Sequence, residues 1–263
     1  MRLKGVPDST CVEIEAQVPA VGSLRLWVPE GIATNTGISA VYPVGQWRQQ
    51  GGKLVQRIPH EDSCGLGNFP KIDENTFECA GIRIPADSPV EWETDVGVGG
   101  RSVSFRIRLT NLGRQRLHKA GAAICLRFLN APWWSDAATF VPSGGKLTPL
   151  ADLGMEAGMP NSFQAYLVKG ESYDNVFYRE FWGFNRHRLD RPVMVSANSA
   201  ADVCVGIQSD RAYFLHCNRG NPCTDIMLAF GDVEPAATAV AEGVVWIREG
   251  SPEDLLSGAG LPA

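Results

Sequence analysis

The sequence has no apolar run long enough to cross a membrane. Nowhere in its 263 residues do about 18 apolar residues follow one another, which is the length that a membrane-spanning helix needs. The first residues, MRLKGVPDST, carry charge where a secretory signal would have its apolar segment. We therefore expect no membrane partner and no export, and the sequence predicts a cytoplasmic protein.

Lysine is scarce, and excess positive charge is absent. Of the 24 basic residues, 18 are Arg and 6 are Lys, and the formal net charge is -5. An acidic balance argues against general nucleic-acid binding, so we expect no nucleic-acid partner. Arginine suits planar recognition of carboxylate or phosphate and stacks on aromatic rings. A genome rich in G and C would give the same excess, and both explanations stay open.

Cofactor and nucleophile motifs are also missing. The seven cysteines contain no CxxC pair, which together with the lack of an export signal predicts reduced thiols without disulfides. No G-x-S-x-G, P-loop, G-x-G-x-x-G, H-E-x-x-H or EF-hand pattern occurs, which argues against serine hydrolases and nucleotide-dependent enzymes. We accordingly expect no cofactor and no metal.

What the sequence does contain is alternation of polar and apolar residues along most of its length. In VEWETDV (90–96) the three acids fall on one face, and SVSFRIRLT (102–110) turns Arg106 and Arg108 outward. A period of two is typical of half-buried antiparallel strands. Only PEDLLS (252–257) begins like a helix. Further strands are predicted at 12–18, 23–28, 53–58, 120–128, 162–168, 173–181, 192–196, 202–207, 211–216, 226–230 and 239–247.

The fold class that follows is all-β with very little helix. We predict a large antiparallel two-sheet β-sandwich that spans 1–263 as a single domain. The segment 130–161 is the least regular because it is rich in proline and glycine. It is predicted to be an irregular excursion between strands, where functional sites are often built.

One stretch, YREFWGFNRHRLDRP (178–192), differs from the rest in composition. It is predicted to end the strand 173–181, to break at Gly183 and to form a polar loop before the next strand. Aromatic faces beside bidentate polar side chains bind sugars, and several arginines favour an anionic sugar such as a uronate. A salt-bridged surface loop is the alternative. The predicted ligand contacts are Arg179, Trp182, Asn185, Arg186 and Arg188, with Trp133 and Trp134 lining the same cleft.

His216 is a second candidate, at the end of the predicted strand 211–216. It is followed by CNRGNPCTD (217–225), so that two cysteines and Asp225 lie within ten residues of it. The adjacent His216 and Cys217 must point to opposite faces of a strand, and the Cys-x5-Cys spacing matches no common zinc motif. We therefore expect a hairpin with a buried histidine here, not a metal site.

Several segments resemble known proteins. VSFRIRLTNLG (103–113) resembles the galactose-mutarotase-like super-sandwich proteins, and three later segments resemble a set of uncharacterised bacterial sandwich proteins: AAICLRFLNAPWW (122–134), NRGNPCTD (218–225) and FGDVEPAATAVAEGVVWI (230–247). In those proteins an Asn…Cys-x-His element precedes a Gly-Asp-x-x-Pro turn, and here Asp225 stands where that histidine would be. The resemblance implies carbohydrate as the substrate class, but a shared fold does not establish a reaction.

Two functions stay open at this point. The first is a cofactor-independent enzyme that moves a proton on a sugar or uronate, as an epimerase, mutarotase or lyase does. His187 and His216 are then the acid and base, with Glu180 or Asp225 orienting them and Asp225 also contacting the ligand. The second is a non-catalytic carbohydrate-binding or subunit-assembly sandwich, which would use its aromatic surface to dock a ligand or form a homo-oligomer.

Overall fold

A computed structural model describes most of the chain, and 66% of it lies in β-strands against 5% in helix. The described residues are 1–7, 9–34, 37–40, 46–58, 71–73, 76–79, 82–85, 90–129, 135, 137–154, 163–175, 183–198, 200, 202–218 and 223–253. The prediction of an all-β fold is thus confirmed. No helix in this part of the chain is both long and apolar enough to cross a bilayer.

The strands follow one another with little helix between them. The helix α1 (Leu150–Leu153) and a 3-10 turn (Tyr173–Asn175) interrupt them. The strands are β1 (Arg2–Gly5), β2 (Cys11–Glu15), β3 (Ser23–Thr34), β4 (Gly37–Ala40), β5 (Arg48–Gln50), β6 (Lys53–Ile58), β7 (Lys71–Asp73), β8 (Thr76–Cys79), β9 (Ile82–Pro85), β10 (Val90–Gly99), β11 (Ser102–Asn111), β12 (Leu117–Leu129), β13 (Thr139–Ser143), β14 (Lys146–Pro149), β15 (Phe163–Leu167), β16 (Gly183–Phe184), β17 (Val193–Ala197), β18 (Val203–Gln208), β19 (Ala212–Asn218), β20 (Cys223–Val233) and β21 (Thr238–Glu249).

Two large sheets make up the architecture, as the sequence predicts. Sheet A has the order β1-β2-β3-β12-β20-β19-β15-β16, with β4 paired to β3, and sheet B has the order β14-β13-β17-β18-β21-β11-β10-β6-β5. A small third sheet contains β7, β8 and β9. Among the described strands every pair is antiparallel except β15 with β16.

The main hydrophobic core lies between sheets A and B. Sheet A contributes residues such as Leu126 and Ile226, and sheet B contributes residues such as Trp92 and Phe105, all at most 2 % exposed. The alternation predicted for 90–96 and 102–110 is confirmed, since every second side chain there is buried. Burying apolar surface at roughly 25 cal/mol per Å² is the largest favourable contribution to folding, so this layer fixes which face of each strand points inward.

The structure differs from the sequence-based predictions at three places: residues 173–175, Gly183 and the segment 130–161. Tyr173–Asn175 forms a 3-10 turn instead of starting a strand, and Gly183 begins β16 instead of breaking a strand. The excursion predicted at 130–161 contains the regular hairpin β13–β14. Its two-residue turn, Gly144 and Gly145, has positive φ at both positions, which is the backbone that tight hairpins require and glycine adopts without strain.

Some predictions fall on residues that the structure describes only in part. Pro252 and Glu253 are helical, and the rest of the predicted helix 252–257 lies outside the described residues. Residues 130–134 and 155–161 of the excursion that the sequence predicts lie outside them too. Five cysteines are buried free thiols, and these are Cys11, Cys125, Cys204, Cys217 and Cys223. A single domain over 1–263 stays a prediction.

Candidate functional site

The face of sheet A that points away from sheet B carries an aligned row of side chains that includes a histidine and an aspartate. Residues that pair directly across neighbouring strands point to the same side of a sheet. The registers of β3, β12, β20, β19, β15 and β16 therefore align six residues in one row, which we call the outer row. From β3 to β16 the outer row consists of Trp27, Cys125, Asp225, His216, Ala165 and Phe184.

A histidine and an aspartate are bonded at the centre of the outer row. His216 Nδ1 lies 3.0 Å from Asp225 Oδ2, and the two residues are 4 % and 8 % exposed. If Nδ1 donates to the carboxylate, the ring lone pair is on Nε2, which is the tautomer of a general base. Because burial removes competing water, this pair holds a defined geometry. The sequence predicted both residues, and the structure brings them together.

Two cysteines lie beside Asp225 on the same face. Cys223 precedes Asp225 by two residues, and its thiol donates to Asp225 Oδ2 at 3.3 Å. Cys125 is the cross-strand partner of Asp225. A hydrogen bond to Cys223 and burial raise the pKa of Cys125 well above its ordinary value. The hydrogen bond from Cys125 lowers the pKa of Cys223, but burial and the Asp225 carboxylate outweigh it and leave that pKa raised.

A bulge in β3 adds a carboxyl group to this site. Cys125 pairs with Trp27 and Ala123 pairs with Gly31, so two steps along β12 correspond to four steps along β3. Glu30 lies in the extra length. Burial and the charge of Asp225 raise its pKa to about 7, while Arg127 opposes the shift.

Exposure within the site increases toward β3. Glu30 is exposed, and Trp27 and Arg127 are half-buried, whereas His216 and Asp225 are nearly covered. A carboxyl group can be partly desolvated by its neighbours and still reach water on one side. The site therefore has an open side over β3 and β12 and a closed end at His216.

Aromatic rings border the closed end. The Phe184 ring packs edge-on against Phe214 at 5.3 Å and against Tyr173 at 5.2 Å between centroids. The Arg188 guanidinium lies 4.7 Å above the centre of the Tyr173 ring, within the range of a cation–π contact. This apolar border continues the outer face of sheet A toward the arginine-rich loop.

The arginine-rich loop uses much of its polarity internally. Asn185 is buried, and its side-chain amide donates to Gly154 O and to Gln164 Oε1, both at 3.1 Å. Its oxygen accepts from the backbone N–H of His187 at 3.0 Å. Arg188 donates to Glu171 O at 2.7 Å. The side-chain amide and oxygen of Asn185 are thus engaged within the protein, and its predicted ligand contact stays a prediction.

The loop then leads to sheet B and not toward His216. Asp190 pairs with Lys169 and accepts from the Gly145 N–H at 2.7 Å, and the Lys169 bond, followed by the Gly145 bond, lowers the Asp190 pKa. A depression of about 410 Å³ lies here, lined in part by Lys146, Asp190, Arg191 and Glu253. Because its charges are of both signs, this end of the loop matches the salt-bridged alternative better than an anion site.

The structure places the remaining predicted residues as follows. Arg186 is exposed and His187 is half-buried in the loop that follows β16. The other predicted contacts lie outside the described residues, so their roles stay predictions: Trp133, Trp134, Arg179, Glu180 and Trp182.

Four residues of the site were missed by the sequence analysis: Trp27, Glu30, Cys125 and Arg127. Cys125 and Arg127 occupy the outward phase of the predicted strand 120–128, which was a usable signal, but the register that sets them beside Cys223 and Asp225 is non-local. The prediction that Cys217 points away from His216 is confirmed, since Cys217 packs in the main core.

Comparison with known proteins gives structural neighbours only. No family model and no curated protein matches the chain. The chain is similar to a galactose mutarotase related enzyme from Lactobacillus acidophilus, with a TM-score of 0.48 and 7 % identity over 94 % of each chain. It is also similar to the Slr1438 protein from Synechocystis sp. PCC 6803, with a TM-score of 0.46 and 12 % identity over 86 % of this chain and 78 % of that chain. A galactose mutarotase-like protein from Clostridium acetobutylicum gives a TM-score of 0.38 and 8 % identity over 88 % and 81 %. These neighbours include the group named from the sequence resemblance.

Proposed function

We propose that the outer face of sheet A binds a sugar and moves a proton on it, as an epimerase, mutarotase or lyase does. The observation that carries the proposal is the buried His216–Asp225 pair, 3.0 Å apart, on a sheet face whose exposure increases toward Trp27 and Glu30 of β3. A carboxylate that holds an imidazole in one tautomer prepares it to take up or release a proton. Such chemistry needs no redox group, only an acid and a base on either side of the reacting carbon.

Glu30 supplies the second proton-transferring group. Its pKa is raised to about 7, so it exchanges protons at neutral pH, where a general acid or base is most effective. Glu30 is exposed at the β3 side of the site, whereas His216 is covered. A ligand between the two would have one group on each side.

Trp27 and Arg127 give the open side its recognition chemistry. An indole face packs on the C–H surface of a sugar ring, and a guanidinium binds a carboxylate or phosphate. Both side chains are half-buried on the outer face, and Trp27 belongs to the outer row. We therefore propose an anionic sugar as the ligand, with its acidic group near Arg127.

Proton exchange measures this activity directly. Galactose, glucose, galacturonate and glucuronate would be incubated in D₂O, with anomer interconversion followed by polarimetry and C–H exchange by NMR. We expect acceleration with at least one sugar, and a loss of about 10²- to 10⁴-fold in His216→Gln and in Glu30→Gln, the usual range for one acid or base. His118→Gln is the matched control, because His118 is also beside an aspartate but is exposed. No acceleration with any of the four sugars, or an equal loss in His118→Gln, would contradict the proposal.

A separate experiment tests where the acidic group of the sugar lies on the protein. If it lies over the sheet, Arg127→Ala weakens uronate binding by about 1.5–3 kcal/mol, the range for hydrogen bonds to charged groups, and barely changes binding of the neutral sugar. If the acidic group of the sugar instead lies at the arginine-rich loop predicted from the sequence, Arg186→Ala is the variant that weakens uronate binding. Calorimetric titration of both variants with galactose and galacturonate distinguishes the two positions.

Binding without turnover is the second candidate function. The 4 % exposure of His216 favours it, because a covered imidazole has little access to a ligand. In that case calorimetry would detect sugar binding by the wild type, His216→Gln would bind equally well, and no sugar would exchange protons faster than in buffer.

A further inference from the structure

The densest group of metal-ligating side chains in the described part of the chain lies beside the His216–Asp225 pair. One ligand atom each from Cys125, Cys223 and Asp225 can be chosen so that all three lie within 4.8 Å of one another. All three residues are buried, at 5 %, 5 % and 8 % exposure. We propose that these three side chains form a binding site for a thiophilic divalent cation of the zinc class.

The spacing of the three donors fits a tetrahedral ion. With Zn–S bonds of about 2.3 Å, two ligating sulfurs of a tetrahedron are about 3.8 Å apart. The three ligand atoms are already within about 1 Å of that separation. The two strands that carry them are paired in register, with Cys125 opposite Asp225 and Cys223 two residues earlier on the same face. Small side-chain rotations are therefore sufficient, and the backbone needs no rearrangement.

The carboxylate of Asp225 provides an independent sign of a missing partner. Its Oδ2 atom is bonded to His216 and Cys223, but its Oδ1 atom is buried and accepts no hydrogen bond from the described residues. An unsatisfied buried carboxylate oxygen is costly. A cation bound to Oδ1 would satisfy it without disturbing the bond to His216.

His216 then acts as the orienting group of the site. Ligating side chains are commonly fixed by a further hydrogen bond, which sets their direction and strengthens binding. The His216 Nδ1–Asp225 Oδ2 contact supplies such a bond. On metal binding the two thiols lose their protons to water, so a divalent cation with two thiolates and one carboxylate has a net charge of about −1. Arg127, the cross-strand partner of Cys223, lies on the same face to offset it.

The donor set also indicates the metal. Two sulfurs and one oxygen favour zinc over calcium or magnesium, which prefer oxygen ligands. Three protein donors leave the fourth tetrahedral position to an external ligand. This inference departs from the expectation of no metal, because no local sequence pattern indicates that Cys125 lies beside Cys223 and Asp225. It does not depend on the proposed sugar chemistry.

Cobalt titration tests the site through its spectrum. The full chain, stripped of metal and reduced with a phosphine, would be titrated with Co²⁺. We expect one Co²⁺ per chain, a thiolate-to-cobalt charge-transfer band in the near ultraviolet, visible bands of a tetrahedral ion, and loss of both when Zn²⁺ is added. His216→Ala should weaken binding about 10- to 100-fold, the usual effect of losing an orienting bond, and Cys125→Ser and Cys223→Ser should weaken it further.

Cys217→Ser is the matched control, since Cys217 follows His216 directly but packs in the main core on the other face. It should bind Co²⁺ as the wild type does. If a cysteine variant folds poorly by circular dichroism, the near-isosteric Asp225→Asn replaces it and should also lose the tetrahedral bands. The proposal is overturned if the wild type shows no charge-transfer band, if the band survives in both Cys125→Ser and Cys223→Ser, or if Cys217→Ser loses it equally.

Discussion

Strand β20 carries two aspartates, and each lies beside a histidine of a neighbouring strand. Asp225 bonds to His216 of β19 at 3.0 Å, with side chains 11 % and 6 % exposed. Asp232 lies 3.4 Å from His118 of β12, with side chains 38 % and 51 % exposed. Arg116 also approaches Asp232, at 2.7 Å. The same two residue types thus occur once in a covered site and once among solvated charges.

The comparison shows that environment, not residue type, separates a candidate site from a surface ion pair. At the exposed pair, water and salt screen the charges and the side chains can exchange partners. At the buried pair neither group has an alternative partner in solvent, so the geometry is maintained and its loss is costly. Three differences between the pairs should be measurable.

The largest difference should be in stability. Asp225→Ala leaves the buried His216 donor without its acceptor, and we expect the free energy of unfolding to fall by about 1–3 kcal/mol. Asp232→Ala should cause a much smaller change because water replaces the lost contacts. Urea denaturation measures both, with the midpoint falling and the slope unchanged for a simple loss of stability. Equal losses would show that the two environments do not differ as described.

The second largest difference should be in how salt changes the stability that each pair contributes. In about 1 M NaCl the Debye length is about 3 Å, which suppresses attraction between exposed charges. The stability difference between wild type and Asp232→Ala should shrink toward zero there. The deficit of Asp225→Ala should persist, because salt does not reach a covered pair. Thermal unfolding of both variants at low and high salt gives the comparison, and a deficit of Asp225→Ala that also vanishes would argue against its burial.

The smallest effect should be the change with pH in the stability that the exposed Asp232–His118 pair contributes. The Lys119 backbone N–H, His118 and Arg116 lower the Asp232 pKa below its ordinary value of 3.8. A lowered folded-state pKa contributes stability that is present above the unfolded pKa and is lost as pH falls through the folded pKa. Asp232→Asn should therefore be slightly less stable than wild type at pH 6–7 and equal to it well below pH 3. Unfolding midpoints across this range test the sign, and a deficit that grew in acid would contradict it.

The sequence predicted most strands and their inward faces because those depend on neighbours in the chain. Phe105 and Ile107 alternate with Arg106 and Arg108 whatever strand they pair with, and both apolar residues are buried. The strands that flank the Gly144–Gly145 turn were not predicted, because they lie in a segment whose prolines and glycines indicated irregular structure. The turn at Tyr173–Asn175 was predicted as the start of a strand, although Asp174 and Asn175 are residue types that favour turns.

The site was only half predictable, for a different reason. His216 and Asp225 are nine residues apart on one hairpin, so the sequence placed them near each other. Cys125 joins Asp225 from about a hundred residues away, through a strand register that no local pattern encodes. The arginine-rich loop was conspicuous by composition, but composition does not reveal that Asn185 and Asp190 are already engaged within the protein.

Because of the bulge in β3, the carboxyl group of Glu30 can be removed from the site by shortening the strand as well as by substituting the residue. Val28 is in the core, and Gly31 pairs with Ala123, so Pro29 and Glu30 are the two residues in excess over one-to-one pairing with β12. Deleting this pair would restore regular pairing, and because two residues are one full period of a strand, every inward side chain would keep its face. A two-residue deletion would thus withdraw the Glu30 carboxyl and leave the core intact. Replacing Glu30 also removes that carboxyl, but only the deletion would restore regular pairing of β3 with β12 as well.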